Sequence, residues 1–134
     1  MTTYVLDASV AVAAVRPGEP SHAAARARLA GLLTGADAIV VPALFDVEVI
    51  SALIRGQALP ARARRYLQVD LAGRKLVTIG PRSARAICEV VATTRLRAAD
   101  AAYVWVAMAQ GLPLVSLDAE IGKKVAGICR VEPP

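Results

Sequence analysis

At 134 residues the chain has room for one domain and not for two independent cores. Hydrophobic residues make up 56% and charged ones only 20%, which excludes a disordered, linker-like chain. A net charge of +5, from 16 Lys and Arg against 11 Asp and Glu, suits a polyanionic partner such as nucleic acid.

In chain order, short apolar runs alternate with longer helical patterns. Residues 4–6 read as a buried strand, and residues 22–33 as an Ala- and Arg-rich helix with Ser21 at its N-cap. A second strand at 38–41 runs into Pro42, which suits the first turn of a helix that ends before Gly56. An arginine-dense helix is expected over 60–71, a third strand over 75–79, and a helix opened by Pro81 and running to about residue 93. Residues 98–110 form a helix stopped by Gly111, followed by a strand at 114–117, a short helix near 120–125 and a last strand at 128–131. Strands separated by helices of this length imply βαβ units. The expected fold is α/β, with a mainly parallel central sheet of four to five strands flanked by helices. The segment Pro17-Gly18-Glu19-Pro20 is a loop inside this unit.

The N-terminus has no basic stretch, its apolar run is too short for a signal peptide, and no run of 18 apolar residues exists. Cys88 and Cys129 lie in apolar surroundings without a CxxC or a Cys/His cluster, so both are expected to be buried, reduced thiols and zinc is not expected. The expected setting is the cytoplasm.

Four acids occupy positions where apolar residues would be expected. Asp7 and Asp118 each end a strand, where ligands of open parallel sheets bind. Each can equally cap the helix that follows. Asp100 is the only charged residue of an otherwise apolar helix, and a buried carboxylate is costly unless paired or bound to a metal. Its alternative use is to face the helix dipole. Glu48 is the lone acid on the inner part of its helix, six residues past Pro42 and roughly 9 Å along the axis. It reaches a common cleft only if that helix leans across the sheet edge; otherwise it pairs with an arginine. Asp46 is expected to face solvent.

Carboxylates gathered in one place repel, and hard divalent cations such as Mg²⁺ or Mn²⁺ relieve that repulsion through oxygen ligands. Without these four acids, 7 acidic residues stand against 16 basic ones, so the remainder carries +9. An acidic, metal-loaded pocket in a basic body suits hydrolysis of a polyanion. The densest basic stretch, with Arg62, Arg64, Arg65 and Arg74, can contact phosphate or simply form a solvated face. His22 is the only histidine, which leaves a Ser-His-Asp triad unsupported, and no GxxxxGK[ST] or GxGxxG occurs.

Four segments in this order resemble PIN-domain nucleases of the VapC toxin type, over nearly the whole chain. They are Tyr4-Val5-Leu6-Asp7-Ala8-Ser9; Pro42-Ala43-Leu44-Phe45-Asp46-Val47-Glu48-Val49; Leu96-Arg97-Ala98-Ala99-Asp100-Ala101-Ala102-Tyr103; and Leu114-Val115-Ser116-Leu117-Asp118. The resemblance implies a single PIN-like nuclease domain over residues 1–134. In it Asp7, Glu48, Asp100 and Asp118 bind one or two Mg²⁺ or Mn²⁺ ions, supported by the hydroxyls of Ser9 and Ser116. It also implies RNA as substrate, a cognate antitoxin as protein partner and a homodimer. Glu120 is a further candidate acid, and Arg97 a candidate phosphate contact. The alternatives are a non-catalytic PIN-like module that binds RNA or protein, and a small-molecule phosphatase, although Asp7-Ala8-Ser9 lacks the second Asp of a DxD nucleophile. Leu44, Phe45 and Leu53 are expected to pack in the core, with a partner surface as their other use.

Overall fold

The computed structural model describes all of residues 1–134. Five parallel strands form one sheet: β1 (Thr2–Leu6), β2 (Asp37–Pro42), β3 (Lys75–Val77), β4 (Leu114–Val115) and β5 (Val131–Glu132), in the spatial order β3-β2-β1-β4-β5. The central strand has three consecutive buried residues, Tyr4, Val5 and Leu6, as expected where both faces of a parallel sheet are covered. From β1 the chain first builds outward through β2 to β3, then returns to place β4 on the other side of β1. The direction of winding therefore reverses between β1 and β4, which opens a crevice beyond their carboxyl ends.

Eight helical segments connect the strands. Helix α1 (Ala8–Ala13) directly follows β1; its small residues show no period in the sequence, and only the capping alternative for Asp7 points to it. Helix α2 (His22–Leu33) has the expected bounds, but the Ser21 hydroxyl makes no capping bond. Instead the His22 ring donates from Nδ1 to Ala13 O at 2.8 Å, tying α2 to the end of α1.

Helix α3 (Leu44–Arg55) begins later than Pro42 suggested. Pro42 closes β2, and the following Ala43 amide still bonds Val77 O of β3. The arginine-rich helix α4 (Pro60–Arg65) widens into a π-helical turn at Tyr66–Asp70, where the buried Tyr66 hydroxyl donates to Ala11 O at 2.7 Å.

Helices α5 (Pro81–Thr94) and α6 (Ala98–Gln110) are joined through Arg95, a non-glycine residue at φ 59°. Thr94 steadies this left-handed turn, since its Oγ1 donates to Val90 O and accepts from the Leu96 amide. Gly111, at φ 64°, ends α6 where side chains are disfavoured. Helix α7 (Ala119–Lys124) precedes β5. The last strand is later than expected because the Ile128 and Cys129 amides are spent on Val125 O, closing the end of α7. β3 and β4 are shorter than expected, and beyond β4 the Ser116 hydroxyl already accepts the Asp118 amide and turns the chain.

Two further expectations need correction. Cys88 is exposed and Cys129 half-buried, both as free thiols; Cys88 sits beside Ile87 but off the inward face of α5. Asp46 is not simply solvated. It accepts from Arg74 Nε and Nη2 at 2.7 Å each, while Arg74 Nη1 donates to Leu67 O and Leu71 O. This arginine fastens the start of α3 to the chain beyond the π-helical turn. Phe45 and Leu53 are buried, and Leu44 packs against the core from its edge.

Candidate active site

The crevice beside β1 and β4 is a cleft of about 630 Å³ lined by Asp7, Ser9, Glu48, Arg97, Asp100 and Asp118, among others. Four different connections deliver the acids. Asp7 is the first residue after β1 and caps α1, accepting the Ser9 amide on Oδ1 at 3.4 Å. Asp118 follows β4 and caps α7, accepting the Glu120 amide on Oδ1 at 2.9 Å. Capping and cleft-lining, set against each other in the sequence, are thus combined in both residues. Asp100 stands in the first turn of α6, and Glu48 one turn into α3.

Backbone register explains the closest contact of the site. The Asp7 amide donates to Val115 O at 3.0 Å, which brings Asp7 level with Ser116 on the neighbouring strand end. The buried Ser116 hydroxyl then donates to Asp7 Oδ2 at 2.7 Å. Ser9, whose amide Asp7 caps, has its Oγ buried without a hydrogen-bond partner. Arg97 is exposed at the N-cap of α6, with Nε 3.4 Å from Asp100 Oδ2.

The electrostatics of the cleft are those of crowded carboxylates. Asp7 is pushed above the usual carboxylate range chiefly by burial, with the negative charge of Asp100 adding to it; hydrogen bonds from Ser116 and Ser9 act against the rise. Glu48 is also pushed up, first by burial and then by the charges of Asp7 and Asp100, while a hydrogen bond from Tyr103 opposes the shift. Burial and the Glu48 charge raise Tyr103 far beyond neutrality, so its phenol is held as a proton donor.

An all-oxygen, carboxylate-rich donor set that strains to stay ionised fits a hard divalent cation. No group of three or more acidic, His or Cys side chains converges closely enough to enclose an ion directly. An ion held here would complete its shell with water, as Mg²⁺ commonly does.

Two residues at the site were not singled out from the sequence, one buried behind the cleft and one on its rim. Tyr103 lies three positions after Asp100 and donates to Glu48 Oε1 at 2.7 Å; a buried tyrosine in an apolar helix was itself a signal, because its hydroxyl needs a partner. Glu19, on the loop after α1, lines the rim of the cleft and lies 3.9 Å from Arg16, with nothing local to mark it. Glu120 does not line the cleft; exposed on α7, it pairs with Lys123 at 3.1 Å.

The family model described as the PIN domain matches residues 4–127. No curated protein matches the sequence. Among solved structures, VapBC2 from Rickettsia felis, bound to a DNA fragment from its promoter, is 14% identical with a TM-score of 0.74, covering 99% of each chain. VapC20 from Mycobacterium tuberculosis, described as a Sarcin-Ricin loop cleaving toxin, is 15% identical with a TM-score of 0.73, over 98% of this chain and all (100%) of that one. A toxin–antitoxin complex from Klebsiella pneumoniae is 19% identical with a TM-score of 0.63, over 96% of this chain and 95% of that one. At these identities the likeness is one of fold.

Proposed function

Because this chain belongs to the PIN domain family, we propose that it is a metal-dependent ribonuclease, the toxin of a VapBC-type toxin–antitoxin pair. One observation carries the reading: Asp7, Glu48, Asp100 and Asp118, from four separate connections, line a single cleft at the switch point of the sheet. The solved structures of the same fold include a toxin described as cleaving the Sarcin-Ricin loop and a toxin–antitoxin complex, which supports RNA as substrate and an antitoxin as partner. A homodimer acting in the cytoplasm completes the proposal; no helix is long and apolar enough to cross a membrane.

In this reading Asp7, Asp100 and Asp118 hold one or two Mg²⁺ or Mn²⁺ ions, and Glu48 either joins them or orients the attacking water. A bound ion supplies Lewis acidity, polarising the phosphodiester and lowering the pKa of water. The protein's own contribution is orientation. Ser116 fixes one oxygen of Asp7, and its hydrogen bond opposes the rise that burial imposes on the carboxyl. The α1 and α7 caps hold Asp7 and Asp118 to rigid helix starts. Ser9 keeps its hydroxyl buried beside Asp7 without a settled hydrogen-bond partner, and its side chain helps oppose the rise in the Asp7 pKa. Exposed Arg97 is placed to contact a phosphate at the rim.

The test is RNA cleavage by the purified protein with Mg²⁺ or Mn²⁺, with and without EDTA, beside Asp7→Asn and Asp100→Asn. Cleavage that needs the ion and both acids is expected. Metal-insensitive RNA binding without products would indicate a binding module, and turnover of a generic phosphate ester without RNA cleavage a phosphatase. Full cleavage by folded Asp100→Asn protein overturns the assignment.

A further inference from the structure

We propose that Tyr103 is a positioning residue for Glu48: its buried hydroxyl fixes Oε1 and thereby presents Oε2 to the cleft as a single, oriented donor toward a divalent cation or its bound water. The inference rests on the metal-site reading above and deepens it. Three observations carry it. Tyr103 is 1% exposed, so its ring has one place to be and its hydroxyl cannot turn to bulk water. The Tyr103 Oη–Glu48 Oε1 separation is 2.7 Å, in the range of hydrogen bonds to an ionised carboxylate. Glu48 makes no other protein hydrogen bond, so Oε2 is left to whatever enters the cleft.

The chain position of Tyr103 gives the contact its consequence. Asp100 and Tyr103 are i and i+3 on α6 and therefore lie on one side of that helix. Asp100 lines the cleft directly, while Tyr103, one turn deeper, reaches Glu48 on α3. One face of α6 thus supplies one acid and aims a second. Glu48 needs this aid more than the other acids. Asp7 and Asp118 are short side chains anchored by capping bonds to their own helices, whereas Glu48 has one more rotatable bond and no local partner. Without the phenol it would share its time among rotamers, several of them away from the cleft.

The experiment is calorimetric titration of the full-length protein with Mn²⁺ alone, for wild type, Tyr103→Phe, Glu48→Ala and the double variant, with thermal melts on each. Partners that orient metal ligands change ion affinity by about 10–100-fold when removed, so Tyr103→Phe is expected to weaken Mn²⁺ binding by about tenfold while keeping the fold. In the Glu48→Ala background the same change should add nothing, because Tyr103 acts only through Glu48. Wild-type affinity in Tyr103→Phe overturns the inference, as does an undiminished loss in the Glu48→Ala background, which would mark a merely structural role. Glu48→Ala with unaltered Mn²⁺ binding would instead remove Glu48 from the metal site, and the inference with it. Should Tyr103→Phe not fold, Tyr103→Met removes the hydroxyl with a side chain that adapts to the space, and the same comparisons decide.

Discussion

Ser116 Oγ donates to Asp7 Oδ2 at 2.7 Å and accepts from the Asp118 amide at 3.1 Å, so one hydroxyl joins the carboxyl ends of β1 and β4. Removing it should loosen two cleft acids together. Ser116→Ala is expected to weaken Mn²⁺ binding and RNA cleavage by roughly tenfold or more, as for other partners of metal ligands. Ser116→Thr should keep most of both. Calorimetry and initial cleavage rates measure this, and an unimpaired Ser116→Ala protein would contradict it.

The raised positions of Asp7 and Glu48 set a pH dependence for the metal-free protein. Burial is the leading cause for both. A carboxylate whose folded pKa lies above its unfolded one binds protons more tightly when folded. Its stabilising contribution is complete below the ordinary values of 3.8 for Asp7 and 4.5 for Glu48, and is lost as pH rises through the folded values. In EDTA at neutral pH, Asp7→Asn should therefore melt at or above the wild-type temperature, with the gap closing toward pH 4. Added Mn²⁺ should raise the wild-type melting temperature and leave Asp7→Asn nearly unmoved. Melts across this range test the sign; a lower melting point for metal-free Asp7→Asn at neutral pH would reverse it.

Arg74 should prove structural where its neighbours do not. It makes four hydrogen bonds, two to Asp46 and two to carbonyls that end the π-helical turn, with its side chain 13% exposed. Arg74→Ala leaves these acceptors without their partner and should cost about 2 kcal/mol in urea denaturation. Arg64 and Arg65 are exposed, make no ion pair, and should change stability by less than about 0.5 kcal/mol on substitution.

For Arg97 the expected effect is on RNA affinity. Its side chain is 85% exposed at the cleft rim, so Arg97→Ala should leave the melting temperature unchanged. If it meets one phosphate, RNA binding in the Asp7→Asn background, where no cleavage is expected, should weaken and the salt dependence should flatten by about one contact. Filter binding at several salt concentrations reads both, and an unchanged slope would remove Arg97 from the interface.

Much of the fold was legible because it depends on local signals. Helices α2 and α6 matched their expected bounds, since an Ala-rich run and a Gly111 stop act within a few residues. The π-helical turn was not legible, because Tyr66 is drawn to Ala11 O by a contact 55 residues away. Pro42 belongs to β2 and not to α3 for a similar reason: its place is fixed by pairing with Val77, which no neighbouring residue announces.

The sequence by itself determined that acids would stand at two strand ends, within one otherwise apolar helix and on the inner part of another, for burying a carboxylate in such a segment is costly without a purpose. Whether those acids met was left to strand order. Placing β4 beside β1 brings residues more than a hundred positions apart within one hydrogen bond, as between Ser116 and Asp7. The reach of Glu48 was likewise a tertiary matter: α3 carries it into the cleft, and Tyr103 from α6 meets it there. Local chemistry chooses which residues are out of place, and only packing decides whether they are out of place together.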